Sequence, residues 1–254
     1  MKWCSELKIS IITAVYNNQK TIGQSIDSVL SQTYSDIEYI VIDGASTDGT
    51  MDVLRSLRSR LDFMISEPDS GIYEALNKGI KYATGDVIGF LHADDIFESN
   101  DVLMKVATAF QNPKIDAIYG DLVYVQQDDM SKVVRYWKSG QFHVAALHQG
   151  WMPPHPTFYV RRSVYERLGG FDTSYKISAD FDAVLRFLAI GKIRVAYIPE
   201  VLVRMRTGGI SNRSLKTIAL KSLEDFRALR KNKVGGSLTL LKKNLRKVGQ
   251  FWHR

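Results

Sequence analysis

Two adjacent carboxylates, Asp94 and Asp95, close the run Val87-Ile88-Gly89-Phe90-Leu91-His92-Ala93. The apolar part of that run reads as a buried strand, so both acids stand where the strand emerges. Neighbouring negative charges repel unless a cation compensates them. Hard oxygen ligands suit Mg²⁺ or Mn²⁺, and such sites take one or two protein carboxylates and complete the shell with substrate phosphates. For an isolated pair, a solvated Asp-Asp turn is the plainer alternative. What weighs against it is the company: Asn17, Asp43 and Asp69 also fall just past predicted strands.

The elements that must position these groups alternate. Apolar patterning predicts strands over 7–13, 37–42, 63–65 and 87–91, and helices over 21–32, 50–61 and 72–83. Near-continuous apolar strands between amphipathic helices argue for a parallel α/β sheet covered on both faces. Ligands bind beyond the carboxyl ends of such strands. Further on, a helix through Val102, Leu103, Val106 and Phe110 leads to a strand over 117–125. An irregular, aromatic-rich stretch over 136–155 reads as a functional loop, and a last helix covers 179–190.

Composition bounds the rest. At 254 residues and 45% hydrophobic, the chain can bury a substantial core, and its one cysteine rules out an intrachain disulfide framework. The N-terminus does not read as a signal peptide, and no apolar run reaches transmembrane length. The expected location is cytoplasmic, with peripheral contact at the inner face of the cell membrane. Net charge is +7, unevenly spread: residues 213–254 hold twelve Lys/Arg and two acids, whereas 1–212 hold 22 and 25. An acidic body therefore carries a basic tail. The segment Gly44 to Gly49 lacks a P-loop lysine, and no Gly-x-Gly-x-x-Gly fingerprint occurs.

Five segments then stand in order. They are Ile11-Ile12-Thr13-Ala14-Val15-Tyr16-Asn17, Val41-Ile42-Asp43-Gly44-Ala45-Ser46-Thr47-Asp48-Gly49-Thr50, and Glu67-Pro68-Asp69-Ser70-Gly71-Ile72-Tyr73-Glu74-Ala75-Leu76-Asn77-Lys78-Gly79. Leu91-His92-Ala93-Asp94-Asp95 follows, and then Gly169-Gly170-Phe171-Asp172 with Ser178-Ala179-Asp180-Phe181-Asp182. Together they resemble family 2 inverting glycosyltransferases of the bacterial polysaccharide-assembly type. That resemblance implies a GT-A fold, a Rossmann-like, mostly parallel sheet flanked by helices, with a basic helical C-terminal extension. It divides the chain into a glycosyltransferase domain over 1–212 (donor part about 7–98, acceptor part about 99–212) and a tail over 213–254.

The resemblance also implies roles. Ala14, Tyr16, Asn17 and Asp43 would hold the nucleotide base, and Asp69, Gly71, Asn77 and Lys78 would line the donor side. Asp94 would touch ribose or metal, and Asp95 would bind Mn²⁺ or Mg²⁺ bridging the diphosphate. Asp180 matches the catalytic base that takes the acceptor proton; read without the other segments, a helix N-cap is its plainer role. His92 stands where the family often has another acid, and Arg204 to Ser211 lacks a histidine frequent there. Arg206 is then a candidate for neutralising phosphate, and His155 and Asp182 are candidate acceptor or phosphate contacts.

In the tail, Leu238, Leu241, Leu245, Val248 and Trp252 share one arc of a helical wheel beside Lys242, Lys243, Arg246 and Lys247. A basic amphipathic helix over 237–252 reads as an anionic-membrane contact, or as a helix packed on the domain. Nucleic acid is not expected, because aromatics do not interleave with the basic residues. The expected reaction moves a sugar from a nucleotide-sugar donor to a lipid-linked saccharide acceptor during O-antigen, capsule or exopolysaccharide assembly. A nucleotidylyltransferase and a non-catalytic nucleotide-sugar-binding scaffold are the alternatives.

Overall fold

The computed structural model describes residues 7–208 and 215–249. Its first half alternates β1 (Ile9–Val15), α1 (Ile22–Leu30), β2 (Ile37–Asp43), α2 (Thr50–Ser56), β3 (Phe63–Ser66), α3 (Ile72–Tyr82) and β4 (Val87–Phe90). Every residue of β1 and β4 is buried. Alternate side chains serve two cores, as the two-residue period of a strand requires. Ile12, Ile40, Ile42, Ile88 and Phe90 meet Tyr73, Ala75 and Leu76 of α3 on one face. Ile9, Ile11, Val41 and Val87 meet Ile22, Ile26 and Val29 of α1 and Leu54 of α2 on the other.

The second half adds β5 (Ile96–Phe97), α4 (Val102–Ala109), β6 (Ala117–Val125), β7 (Val133–Trp137), α5 (Val144–Leu147), β8 (Tyr159–Arg161), α6 (Arg162–Leu168), α7 (Ala179–Leu185) and β9 (Val195–Arg206). One sheet holds all nine strands in the order β3-β2-β1-β4-β8-β6-β9-β5, with β7 on β6. The neighbours β3-β2-β1-β4 are parallel, as are β6 and β9. The α/β fold class is as expected, with antiparallel β8 joining the two parallel parts.

Boundaries differ in informative places. The helix predicted over 50–61 stops at Ser56, and a 3-10 turn at Arg58–Arg60 replaces its last part. The helix predicted over 179–190 is α7 followed by a π turn, Arg186–Ile190. Part of the expected loop over 136–155 is taken by the end of β7 and by α5.

Two helices close the chain, α8 (Leu215–Lys231) and α9 (Ser237–Gly249). Ala228 and Leu229 of α8 are fully buried in the same core as Phe181 of α7. On α9 the expected arrangement is partly overturned. Lys243 points inward, its Nζ 2.7 Å from the buried Asp225 carboxylate and 3.4 Å above the Phe181 ring. A buried carboxylate needs a counter-charge, which explains the inward turn. Leu238, Leu241 and Leu245 are then 65%, 55% and 61% exposed. The Val248 side chain and Trp252 of the predicted arc lie outside the described residues. Among those residues, no helix is long and apolar enough to cross a membrane.

At the amino ends of the parallel strands a polar tie replaces apolar packing. Glu38 Oε2 accepts from Ser10 Oγ (2.5 Å) and Thr84 N–H (2.7 Å), and Oε1 accepts from Thr84 Oγ1 (2.6 Å). Burial opposes ionisation of Glu38, but the bonds from Ser10 and Thr84 outweigh it and lower its pKa from 4.5. A lowered folded-state pKa gives stability above the unfolded value that is lost as pH falls through the folded one. Glu38→Gln is therefore expected to cost about 1–3 kcal/mol at pH 7, the penalty of unsatisfied buried donors. The deficit narrows as the pH drops below 4.5, which urea unfolding at several pH values measures.

Candidate active site

Parallel register places the carboxyl ends of the strands on one rim, with Val15 beside Asp43, Asp43 beside Ser66, and Ile12 beside Phe90. The segments that follow interlock. Asn17 N–H donates to Ser46 Oγ, and Thr47 N–H donates to Asn17 Oδ1, both at 2.8 Å. Asn17 and Ala45 adopt φ of +48° and +60°, a left-handed strain that non-glycine residues keep where tertiary contacts impose it.

Asp43 is fully buried below this loop, accepting from Ser46 Oγ (2.5 Å), Ser46 N–H (3.0 Å) and Ser66 Oγ (2.6 Å). It therefore fixes the loop's floor. Tyr16 stands at the rim, 64% exposed, next to buried Ala14 and Val15. Gly44 separates Tyr16 from Asp69: a Cβ there would lie 2.6 Å from Asp69 Oδ2 and 3.4 Å from the Tyr16 ring. Asp69 Oδ1 accepts from Gly71 N–H at 2.9 Å, and Gly71, at φ +139°, leads into α3. Ala14, Tyr16, Asn17, Asp43, Asp69 and Gly71 thus form one wall.

The neighbouring wall is the acid pair. Asp95 is fully buried; Oδ1 accepts from Arg206 N–H at 3.2 Å, while Oδ2 has no hydrogen-bond partner among the described residues. Burial, and then the Asp94 charge, push the Asp95 pKa well above the carboxylate range, against the pull of Arg206. The Arg206 guanidinium donates to Asp94 O, Gln24 Oε1 and Gln127 O. These bonds to protein acceptors make it a prop for the acid turn. An unpartnered buried carboxylate oxygen is costly unless something positive meets it. Asp95 Oδ2 with half-buried Asp94 fits a hard divalent cation. Among the described residues, no group of three His, Cys, Asp or Glu side chains could hold one, so remaining ligands would come from a bound diphosphate and water.

Asp180 lies in the first turn of α7, half-buried, behind the cap residue Ser178. The Tyr73 hydroxyl donates to Ile177 O at 2.5 Å and stands 3.3 Å from Asp180 Oδ1. The connection to the acid pair runs through His92. Burial lowers the His92 pKa, while the carboxylates of both Asp94 and Asp180 draw it upward. Both carboxylates therefore lie within electrostatic reach of the same imidazole. His155 lies beside it, stacked on Phe90 (centroids 5.2 Å apart) and 5.8 Å from the His92 ring. Burial drops the His155 pKa to about 4, so its ring is neutral, with Nε2 buried and unpartnered.

Three expected contacts sit elsewhere. Asn77 spends both amide ends on the Phe171 backbone at 2.8 Å, bracing α3 against the loop before α7. Lys78 pairs with Glu67 (2.8 Å) and Glu74 (3.3 Å) and donates to Pro68 O, which commits it to the turn before α3. Asp182 is fully buried and bound by Asn232 Nδ2 (2.9 Å) and Lys231 Nζ (3.2 Å), so it anchors α7 to α8. Sequence reasoning assigned no role to Gln24 or to the Tyr73 hydroxyl. Tyr73 lies inside a quoted segment, but only the fold reveals its partner 107 positions away.

Comparison with known proteins fits this geometry. The family model described as Glycosyl transferase family 2 matches residues 10–176, from β1 to the approach to α7. A PGL/p-HBAD biosynthesis glycosyltransferase of Mycobacterium bovis is 29% identical over 219 residues, covering 84% of this chain and 83% of the relative. Two solved structures share the fold. The mannosyltransferase PcManGT of Pyrobaculum calidifontis, in complex with GDP-Man and Mn²⁺, aligns with a TM-score of 0.66 at 20% identity, covering 98% of this chain and 70% of that one. Residues 1–349 of S. aureus TarS in complex with UDP align with a TM-score of 0.66 at 19% identity, covering 94% and 69%. Strand-end acids, the interlocked rim and the family match converge: this chain is a glycosyltransferase belonging to glycosyl transferase family 2.

Proposed function

We propose that this chain is an inverting, divalent-metal-dependent transferase that moves a sugar from a nucleotide-sugar donor to a saccharide acceptor. The observation that carries the reading is Asp95 Oδ2, beside Asp94 and without a hydrogen-bond partner among the described residues, with Asp180 acting on the same His92 ring as Asp94. Complexes of the fold neighbours with GDP-Man and Mn²⁺ and with UDP support it.

The exposed Tyr16 ring would stack on the base, a contact worth about 1–3 kcal/mol, while Asp69 and Gly71 flank the donor. Asp43 lies fully buried below the loop, so its chief part is to hold that loop. Mg²⁺ or Mn²⁺ held by Asp95 and Asp94 would supply the charge that stabilises the departing nucleoside diphosphate. Asp180 accepts the proton of the attacking acceptor hydroxyl. That oxygen bonds to the anomeric carbon as the carbon–oxygen bond to the diphosphate breaks, and a single displacement inverts the centre. The domain over 1–212 would supply all these groups.

The acceptor is proposed to be lipid-linked, in surface polysaccharide assembly at the inner face of the cell membrane. Support comes from the outward Leu238, Leu241 and Leu245 of α9 beside exposed Lys242 and Arg246. An apolar stripe flanked by cations suits an anionic interface.

Asp180→Asn is expected to cut transfer by roughly 10²–10⁴, the contribution of a positioned base, with donor binding retained. Unchanged turnover would refute the base. For the metal, a thermal-shift panel of UDP-, GDP- and dTDP-sugars with and without Mn²⁺ should give one nucleotide whose stabilisation needs the ion. Asp95→Asn removes a buried charge, so it should raise the melting temperature without metal yet abolish the Mn²⁺-dependent shift. A variant that keeps the shift would count against the site. Replacing Leu238, Leu241 and Leu245 together by Ser should abolish sedimentation with phosphatidylserine vesicles. Equal sedimentation would remove the membrane role.

A further inference from the structure

The chain's C-terminal helices reach back to the proposed base. Glu224 of α8, although a charged residue on the chain's basic tail, is buried. Its Oε1 accepts from Lys176 N–H at 2.8 Å, and its Oε2 accepts from Ile177 N–H at 2.8 Å and Ser178 N–H at 3.0 Å. These are three consecutive backbone donors immediately before α7. A carboxylate receiving several backbone N–H bonds at a helix start makes charge-assisted bonds, each stronger than a neutral one. The same short segment is held from the opposite element, because the Tyr73 hydroxyl of α3 donates to Ile177 O. Asp180 follows two residues after Ser178 and is 3.3 Å from that hydroxyl. The rest of α7 is tied to the same helices, through Asp182 to Lys231 and Asn232 and through Lys243 over Phe181.

We propose that Glu224 and Tyr73 are positioning residues that clamp Lys176–Ser178 from two sides and thereby fix the Asp180 carboxylate in the cleft. The clamp rests on the reading of Asp180 as the base. Each acts through the segment it holds. Catalysis by a positioned base is sensitive to sub-ångström displacement, so loosening the segment lowers turnover without weakening donor binding. The C-terminal helices then belong to the catalytic unit, whatever else their outer faces contact. No local sequence signal marks Glu224, since its partners lie 46–48 positions away.

The test measures nucleoside diphosphate release with water as the acceptor, using whichever of UDP-, GDP- or dTDP-glucose stabilises the protein most in the presence of Mn²⁺. Glu224→Gln keeps the side chain's shape but replaces one acceptor oxygen by an NH₂ that faces the backbone donors. It is expected to lower kcat about tenfold while KM for the sugar nucleotide stays within about twofold, the pattern of an interaction expressed in the transition state. Tyr73→Phe removes the other anchor without touching α8 and carries the same expectation, so loss of fold in the first variant leaves the test in place. In an Asp180→Asn background, adding Glu224→Gln should cost nothing further, because the residue acts only through the base. A merely structural role would instead lower residual turnover again, and that result overturns the clamp. So does Asp180→Asn impaired with Glu224→Gln and Tyr73→Phe both at the native rate. Asp180→Asn at the native rate overturns the base reading itself, and the clamp with it.

Discussion

One carboxylate oxygen sets the terms for the rest of the molecule. Asp95 is buried beside another acid, with Oδ2 bonded to nothing among the described residues. The fold holds it there through the Arg206 main chain and through a guanidinium that grips the Asp94 carbonyl from beneath. Without that prop the turn would relax toward solvent and the two charges would separate. The arrangement thus stores an electrostatic deficit that a hard cation can relieve, and burial makes the relief larger than it would be in water.

The sheet separates stability from chemistry along the strand axis. At the amino ends, Glu38 satisfies its lone pairs with Ser10 and Thr84. At the carboxyl ends, polar groups are left exposed, strained or unpartnered: Tyr16, the left-handed Asn17 and Ala45, and Asp95 Oδ2. Natural proteins keep such local costs where function needs them, and a firmly tied opposite end offsets them. Helix α3 links the regimes. Its buried face packs on β1 and β2, its first turn follows Asp69, and Tyr73 reaches the segment before α7.

The parallel half was legible in the chain because strands buried on both faces read as unbroken apolar runs, and each strand end was marked by a polar residue. Asp43, Asp69 and Asp94/Asp95 could be placed on one rim from that pattern alone. What stayed hidden depended on long-range partners. β9 contains Pro199, which argues against a strand, yet the β6–β9 register shifts near Gly120 and Asp121 and absorbs it. Arg206 is charged and follows a strand, so a phosphate contact was reasonable; only the fold shows Gln24 and Gln127 taking its donors. Asn77 and Lys78 sit in a donor-side segment, but a helix has several faces, and theirs turn toward Phe171 and the two glutamates. Lys243 fell on a polar arc of the wheel, and the wheel could not know that Asp225 waits behind it.

The most direct measurement is an electron paramagnetic resonance titration of Mn²⁺ with and without a nucleoside diphosphate. If Asp95 holds the cation, the native chain immobilises one ion when the nucleotide is present, and Asp95→Asn leaves the ion free under the same conditions. An Asp95→Asn protein that binds Mn²⁺ with nucleotide as tightly as the native chain would contradict it.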